Sequence, residues 1–176
     1  HLDLAAAARV VRYARLHSSF RAVVLLVDPD DRLVAEVRRQ VAPDMIQLHG
    51  RETRQRVEAV RAASGLDIIK AVGVVTESDV QAACEYWAPG TLADIVLFDA
   101  KPPPDPAALP GGNGLAFDWR ILQAVRGRMP FALAGGLSPD NVGAAIRLTG
   151  AEIVDVSSGV ERDGAKDPEL IACFLR

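Results

Sequence analysis

Two segments of this chain carry residues suited to chemistry: Ala134-Gly135-Gly136-Leu137-Ser138-Pro139-Asp140-Asn141 and Asp155-Val156-Ser157-Ser158-Gly159-Val160-Glu161. Each follows a short apolar run and supplies small residues where a strand hands over to a helix. Glycine allows a ligand close to the backbone, and the N–H groups that open a helix attract anions. One Gly-Gly turn reads as no more than a tight connection. Two such turns on consecutive strand–helix units read as a divided phosphate cradle. Gly135, Gly136, Ser157, Ser158 and Gly159 are its expected binding residues, and a phosphorylated small molecule is the expected ligand.

The elements that must position these turns alternate along the chain. Runs rich in β-formers cover Ala22–Val27, Met45–His49, Ile68–Val72, Ile95–Asp99, Phe131–Ala134 and Ile153–Ser157. They are nearly continuous in apolar residues, which suits parallel strands covered on both faces. Amphipathic helical patterns separate them, and no hairpin dipeptide joins neighbouring runs. Most strand starts lie about 22–26 residues apart, the length of one strand–helix unit. Capping side chains near an acid mark helix starts at Asp28-Pro29-Asp30, Thr76-Glu77-Ser78, Ser138-Pro139-Asp140 and Asp167-Pro168-Glu169, two of them with proline at the expected first helical position. An additional helix, Leu4 to Leu16, precedes the first strand.

Repeated βα units close either as an open doubly wound sheet or as a (β/α)₈ TIM barrel. In such barrels the loops after strands seven and eight commonly hold phosphate. Here the two Gly/Ser turns follow the last two strands, so the barrel is the expected fold. Counting backward gives an incomplete barrel of about six strands, the third to the eighth. The first βα unit and the second strand are not among its residues. Residues 1–176 are expected to form one phosphate-binding barrel domain.

The length of 176 residues suits one domain with a substantial core. The formal net charge of −3, with arginines scattered over helix faces, argues against a nucleic-acid partner. The longest apolar stretch, Ala22 to Val27, is far below membrane-spanning length, and the chain does not open on a basic-then-apolar signal. Cys84 and Cys173 lack ligand or redox spacing, which predicts unpaired thiols, a reducing compartment and a cytoplasmic setting. The oligomeric state is left open. His1 and His17 read as surface residues, and Phe117 and Trp119 as anchors of their own helix.

Gln47-Leu48-His49-Gly50, Asp99-Ala100-Lys101, Phe117-Asp118-Trp119, Ala134-Gly135-Gly136-Leu137, Asp155-Val156-Ser157-Ser158-Gly159-Val160-Glu161 and Lys166-Asp167-Pro168 occur in that order. As an ordered set they resemble phosphoribosylanthranilate isomerase, a tryptophan-pathway family on a (β/α)₈ barrel, over nearly the whole chain. The resemblance implies an Amadori rearrangement of N-(5′-phosphoribosyl)anthranilate to the 1-deoxyribulose phosphate, without metal or other cofactor. An acid protonates the furanose ring oxygen and a base removes the C2′ proton. Asp99 matches the family's acid, at the strand end where barrel enzymes keep catalytic groups. To donate near neutral pH its carboxyl must be raised by burial or negative charge. A loop cap against Lys101 is the plainer reading of Asp99. Gln47, His49 and Asp155 are candidate substrate contacts, although a lone strand-end histidine is more often structural.

The chain departs from the family at its start. The family's base is a cysteine in a Lys-Ile-Cys-Gly-like first strand, and neither Cys84 nor Cys173 matches it. The arginine that grips the anthranilate carboxylate in the family also has no counterpart here. Open edges on the third and eighth strands would follow. These departures point to a piece of a longer gene product, or else to a chain that pairs its edges with a partner. The loop 102–114 is expected to act as a lid or as a plain connector. Alternatives to the isomerase are an indole-glycerol-phosphate synthase-like or ribulose-phosphate epimerase-like barrel, and an inactive phosphate-binding module.

Overall fold

The computed structural model describes residues 2–101 and 117–176. The proline- and glycine-rich loop expected to act as a lid or connector, and His1, lie outside the described residues.

The elements run α1 (Leu4–His17), β1 (Val23–Leu26), α2 (Asp31–Gln40), β2 (Met45–Leu48), α3 (Arg54–Ser64), β3 (Asp67–Val74), α4 (Glu77–Cys84) and β4 (Ile95–Ala100). A 3₁₀ helix (Trp119–Ala124), β5 (Phe131–Leu133), α5 (Val142–Thr149) and β6 (Ile153–Val154) follow. A 3₁₀ turn (Ser158–Val160), β7 (Glu161–Arg162), β8 (Ala165–Lys166) and α6 (Pro168–Phe174) complete the series. Strands β1 to β6 hydrogen-bond in chain order, and every register pair described between them is parallel. This is the α/β alternation expected from the apolar runs. No helix among the described residues is long and apolar enough to cross a membrane.

The chain divides into two compact units, His1–Lys70 with Tyr86–Asp94 and Ala71–Glu85 with Ile95–Arg176, and β3 contributes to both. In the first unit β1 pairs β2 from Val23↔Met45 to Leu26↔Leu48, and β2 pairs β3 from Met45↔Asp67 to Leu48↔Lys70. Helices α2 and α3 turn Val34, Val37, Val57 and Val60 onto Leu26, Ile46, Leu48 and Ile68. Each such side chain, fully buried, contributes about 1.5–3 kcal/mol. Asp3, Asp30 and Thr53 cap α1, α2 and α3 through their side chains, worth about 1 kcal/mol apiece.

In the second unit β4 pairs β5 and β5 pairs β6. Phe98 and Phe131 meet edge-to-face with centroids 5.5 Å apart, and Leu97, Leu122 and Leu133 are buried in the same unit. Thr76 and Asp79 form a capping box that starts α4, and Pro168 opens α6 behind Asp167.

Three expectations need correction. Strand β1 is not covered on both faces: Val23 and Leu25, with Val27 just past it, are 43, 53 and 42% exposed. Ser138-Pro139-Asp140 forms a turn rather than a helix start. Helix α5 begins at Val142, after a turn in which the Val142 N–H meets the Ser138 carbonyl at 3.0 Å and the Asn141 side chain accepts the Ser138 N–H. Strand β6 ends at Val154 rather than Ser157. A hairpin was also overlooked: Asp163 and Gly164, at φ 53° and 77°, join β7 to β8. Asp-Gly with both residues left-handed is the type I′ hairpin turn.

Candidate active site

Asp99 is the fifth residue of β4 and only 6% exposed. Its Oδ1 accepts the N–H of Ala100 at 2.7 Å, which fixes the carboxylate at the strand's end. The turn after β5 approaches it closely. Gly135 has φ 85°, and a Cβ there would lie 2.7 Å from the Ala100 nitrogen and 3.2 Å from Asp99 Oδ1. Only a residue without a side chain fits both the left-handed backbone and that approach. The structure thus brings Asp99 and the first glycine turn together.

Gly136 is also left-handed, at φ 68°. Asn141 Nδ2 donates to the Gly136 carbonyl at 2.9 Å, and Asn141 Oδ1 accepts the N–H of Ser138 at 2.8 Å. These bonds fix the turn from within. They leave the N–H groups of Gly135 and Gly136 without a protein acceptor among the described residues.

The second turn packs on the first. A Cβ on Gly159 would fall 1.8 Å from the Leu137 carbonyl oxygen and 3.2 Å from Ser138 Cα. Ser158 and Gly159 lie in the 3₁₀ turn after β6, with Ser157 preceding it. Lys166 Nζ donates to Ser157 O at 2.8 Å, to Ser157 Oγ at 3.2 Å and to Glu161 Oε1 at 2.7 Å. Asp155 is exposed just past β6, its N–H on the Leu133 carbonyl at 2.8 Å. All five expected cradle residues and Asp99 therefore belong to the second unit.

Gln47 and His49 lie in the first unit. Gln47 is buried on β2, and its Nε2 donates to His49 Nδ1 at 3.1 Å. The His49 N–H is held by the Leu26 carbonyl at 2.9 Å.

A buried ion pair stands behind this strand end. Lys70 Nζ donates to Glu52 Oε2 at 2.9 Å and to the Gly50 carbonyl at 2.9 Å, and the two side chains are 3 and 0% exposed. Glu52 Oε1 accepts the N–H of Asp28 at 2.9 Å and of Gly50 at 3.0 Å. The turns after β1 and β2 are thereby tied to one carboxylate. Burial pushes the Glu52 carboxyl up, but Lys70 and the Asp28 N–H outweigh it and hold the group below its ordinary value. Sequence reasoning missed Glu52, which has no local motif to announce it.

The cysteines do not enter the site. Cys84 closes α4, its thiol pushed up by burial, and Cys173 is exposed in α6. His17 is exposed on α1, its ring against Tyr13 with centroids 4.3 Å apart. Phe117 and Trp119 are half-buried, and Asp118 caps the 3₁₀ helix that Trp119 begins.

Family and sequence comparisons point to one family. The family model described as N-(5'phosphoribosyl)anthranilate (PRA) isomerase matches residues 4–176. A relative named N-(5'-phosphoribosyl)anthranilate isomerase, from Paracoccus denitrificans, is 54% identical over 87% of this chain and 70% of its own length. The crystal structure of phosphoribosyl anthranilate isomerase from Thermotoga maritima superposes with a TM-score of 0.81 at 31% identity, covering 99% of this chain and 80% of that one. Another, a phosphoribosyl anthranilate isomerase in complex with reduced 1-(o-carboxyphenylamino)-1-deoxyribulose 5-phosphate, gives 0.77 at 28% identity over 99% of this chain and 78% of that one. A match across all but the first few residues, on a fold that sets its first glycine turn beside a strand-end carboxylate, places this chain in the N-(5'-phosphoribosyl)anthranilate isomerase family, the isomerases of tryptophan biosynthesis.

Proposed function

We propose that this chain holds N-(5′-phosphoribosyl)anthranilate by its phosphate in the turns after β5 and β6 and uses Asp99 as the acid of the isomerisation. The single observation that carries the reading is the approach of Gly135 to Asp99, where a Cβ would stand 3.2 Å from Oδ1. The residue that would line the phosphate and the residue that would deliver the proton share one rigid corner. A phosphate anchored there sets the position of the ribose relative to the carboxyl, which is the proximity contribution to rate.

Asp99 gives its proton to the furanose ring oxygen as the C1′–O bond breaks. The anthranilate nitrogen supplies the electron pair that forms the iminium. A base takes the C2′ proton to give the enolamine; return of that proton to C1′ and passage of the 2′-hydroxyl proton to the Asp99 carboxylate then give the 1-deoxyribulose phosphate and restore the acid, so that protons and charge balance without a redox partner. No base is assigned to Cys84 or Cys173, since one closes a helix and the other is exposed in α6. The backbone N–H groups of Gly135, Gly136, Ser158 and Gly159 and the Ser157 hydroxyl are assigned to the phosphate. Gln47 and His49 are assigned as substrate contacts of the first unit, and Asp155 as a shaping residue of the second turn. The six strands are assigned to the third to eighth positions of a (β/α)₈ barrel, supported by the match to the Thermotoga maritima structure. The unpaired thiols support a cytoplasmic setting.

Asp99→Asn tests the acid. The amide oxygen can still accept the Ala100 N–H, so the fold is retained. Turnover is expected to fall about 10²–10⁴-fold with little change in analogue binding. Near-normal turnover would remove Asp99 from the role.

A further inference from the structure

We propose that Lys166 is a positioning residue for the phosphate, holding Ser157 so that its hydroxyl hydrogen turns toward the anion and adding a positive charge to the second turn. The inference rests on the placement of phosphate at Ser157–Gly159 given above. An ammonium has three donors and no acceptor. Here they meet Ser157 O at 2.8 Å, Ser157 Oγ at 3.2 Å and Glu161 Oε1 at 2.7 Å. Because lysine can only donate, the Ser157 oxygen accepts in this contact and keeps its own hydrogen to give away. A hydroxyl whose lone pair is held by a cation is a stronger donor to an anion. The bond to the carbonyl fixes the backbone of the same residue, where the chain enters the 3₁₀ turn.

The hairpin supplies the reach. Glu161 and Lys166 are register partners across β7 and β8, and the Asp163-Gly164 turn closes the pair in two residues. A plainer role for Lys166 is to staple that hairpin through Glu161. The two roles differ in what Glu161 should do. If Lys166 is only a staple, losing either partner has the same effect. If Lys166 serves Ser157, then Glu161→Gln leaves both Ser157 bonds and removes the negative charge that offsets the ammonium.

The test titrates inorganic phosphate calorimetrically into the parent chain, K166M, E161Q, S157A and the S157A/K166M double variant, with Tm measured for each. Phosphate affinity is expected to fall roughly tenfold or more in K166M, the loss of a charge-assisted contact. In E161Q it should be unchanged or tighter. S157A should weaken binding, and adding K166M to it should cost less than K166M costs alone, because the two act as a unit. Parent and K166M binding phosphate equally would overturn the role of Lys166 while leaving the cradle intact. Roughly tenfold weakening in E161Q relative to the parent would do the same, and this arm stands even if K166M does not fold. A parent chain that binds no phosphate would overturn the cradle, and this proposal with it.

Discussion

Gly159 presses on Leu137 so closely that a Cβ would overlap the Leu137 carbonyl oxygen, at 1.8 Å. The turns after β5 and β6 are therefore one packed object, and movement of either displaces the other. Gly159→Ala must push the two apart. Backbone cannot yield as a flexible side chain can, so the cost is expected at about 2 kcal/mol or more. Gly127→Ala provides the comparison, because a Cβ there meets nothing within 4 Å, leaving only the strain of φ 69°. Phosphate affinity and Tm should both drop in Gly159→Ala, with phosphate affinity unchanged in Gly127→Ala. Equal phosphate affinity in the two variants would show that the packing of the turns does not shape the cradle.

Lys70 and Glu52 form a pair whose members cannot be removed one at a time. Lys70→Met leaves a buried carboxylate without its cation, a loss of about 3–5 kcal/mol. Adding Glu52→Gln to Lys70→Met removes the stranded charge and keeps an oxygen for the Asp28 and Gly50 N–H groups. Denaturant unfolding should therefore show the double variant more stable than Lys70→Met alone. A double variant less stable than the single would refute the view that the lysine neutralises this carboxylate.

Acid should unfold the protein through a few identified groups. At Asp94 burial pushes the carboxyl up, but Arg61 and the N–H groups of Ile68 and Gly90 outweigh it and hold it below its ordinary value. Glu52 is lowered in the same sense. Because the folded values lie below the unfolded ones, the unfolded chain takes up protons first as pH falls. The stability from these groups is complete above the unfolded range of about pH 4–4.5, and is lost as pH drops through the folded values. Tm is expected to decline below about pH 5. Asp94→Asn should lower Tm at neutral pH and flatten the acid decline. An acid decline of unchanged slope in Asp94→Asn would contradict the assignment.

The alternation of strands and helices was legible because apolar runs and caps are local signals. Leu26, Ile46, Leu48 and Ile68 sit in the runs that predicted them, and Thr76, Asp30 and Asp167 cap where expected. The start of α5 misled because Ser138-Pro139-Asp140 carries every local mark of a helix start. Those residues form instead the turn that leads into α5, held by the Asn141 side chain on Gly136 and Ser138. The hairpin of β7 and β8 escaped notice because Glu161-Arg162 and Ala165-Lys166 are too short and polar to show alternation; only Asp163-Gly164 marks it. The glycine turns were readable as turns, but what makes Gly135 and Gly159 indispensable is the close approach of Ala100 and Leu137, which no spacing reveals. The Glu52–Lys70 pair joins residues 18 apart, one in the turn after β2 and one on β3, so it too belongs to the fold rather than to any motif.

The most direct measurement is a crystal structure of this chain with reduced 1-(o-carboxyphenylamino)-1-deoxyribulose 5-phosphate. The phosphate is expected within hydrogen-bond distance of the Gly135, Gly136, Ser158 and Gly159 N–H groups and the Ser157 hydroxyl, with the sugar chain leading to the Asp99 carboxylate. A phosphate bound away from both turns, or a sugar chain directed away from Asp99, would contradict the account.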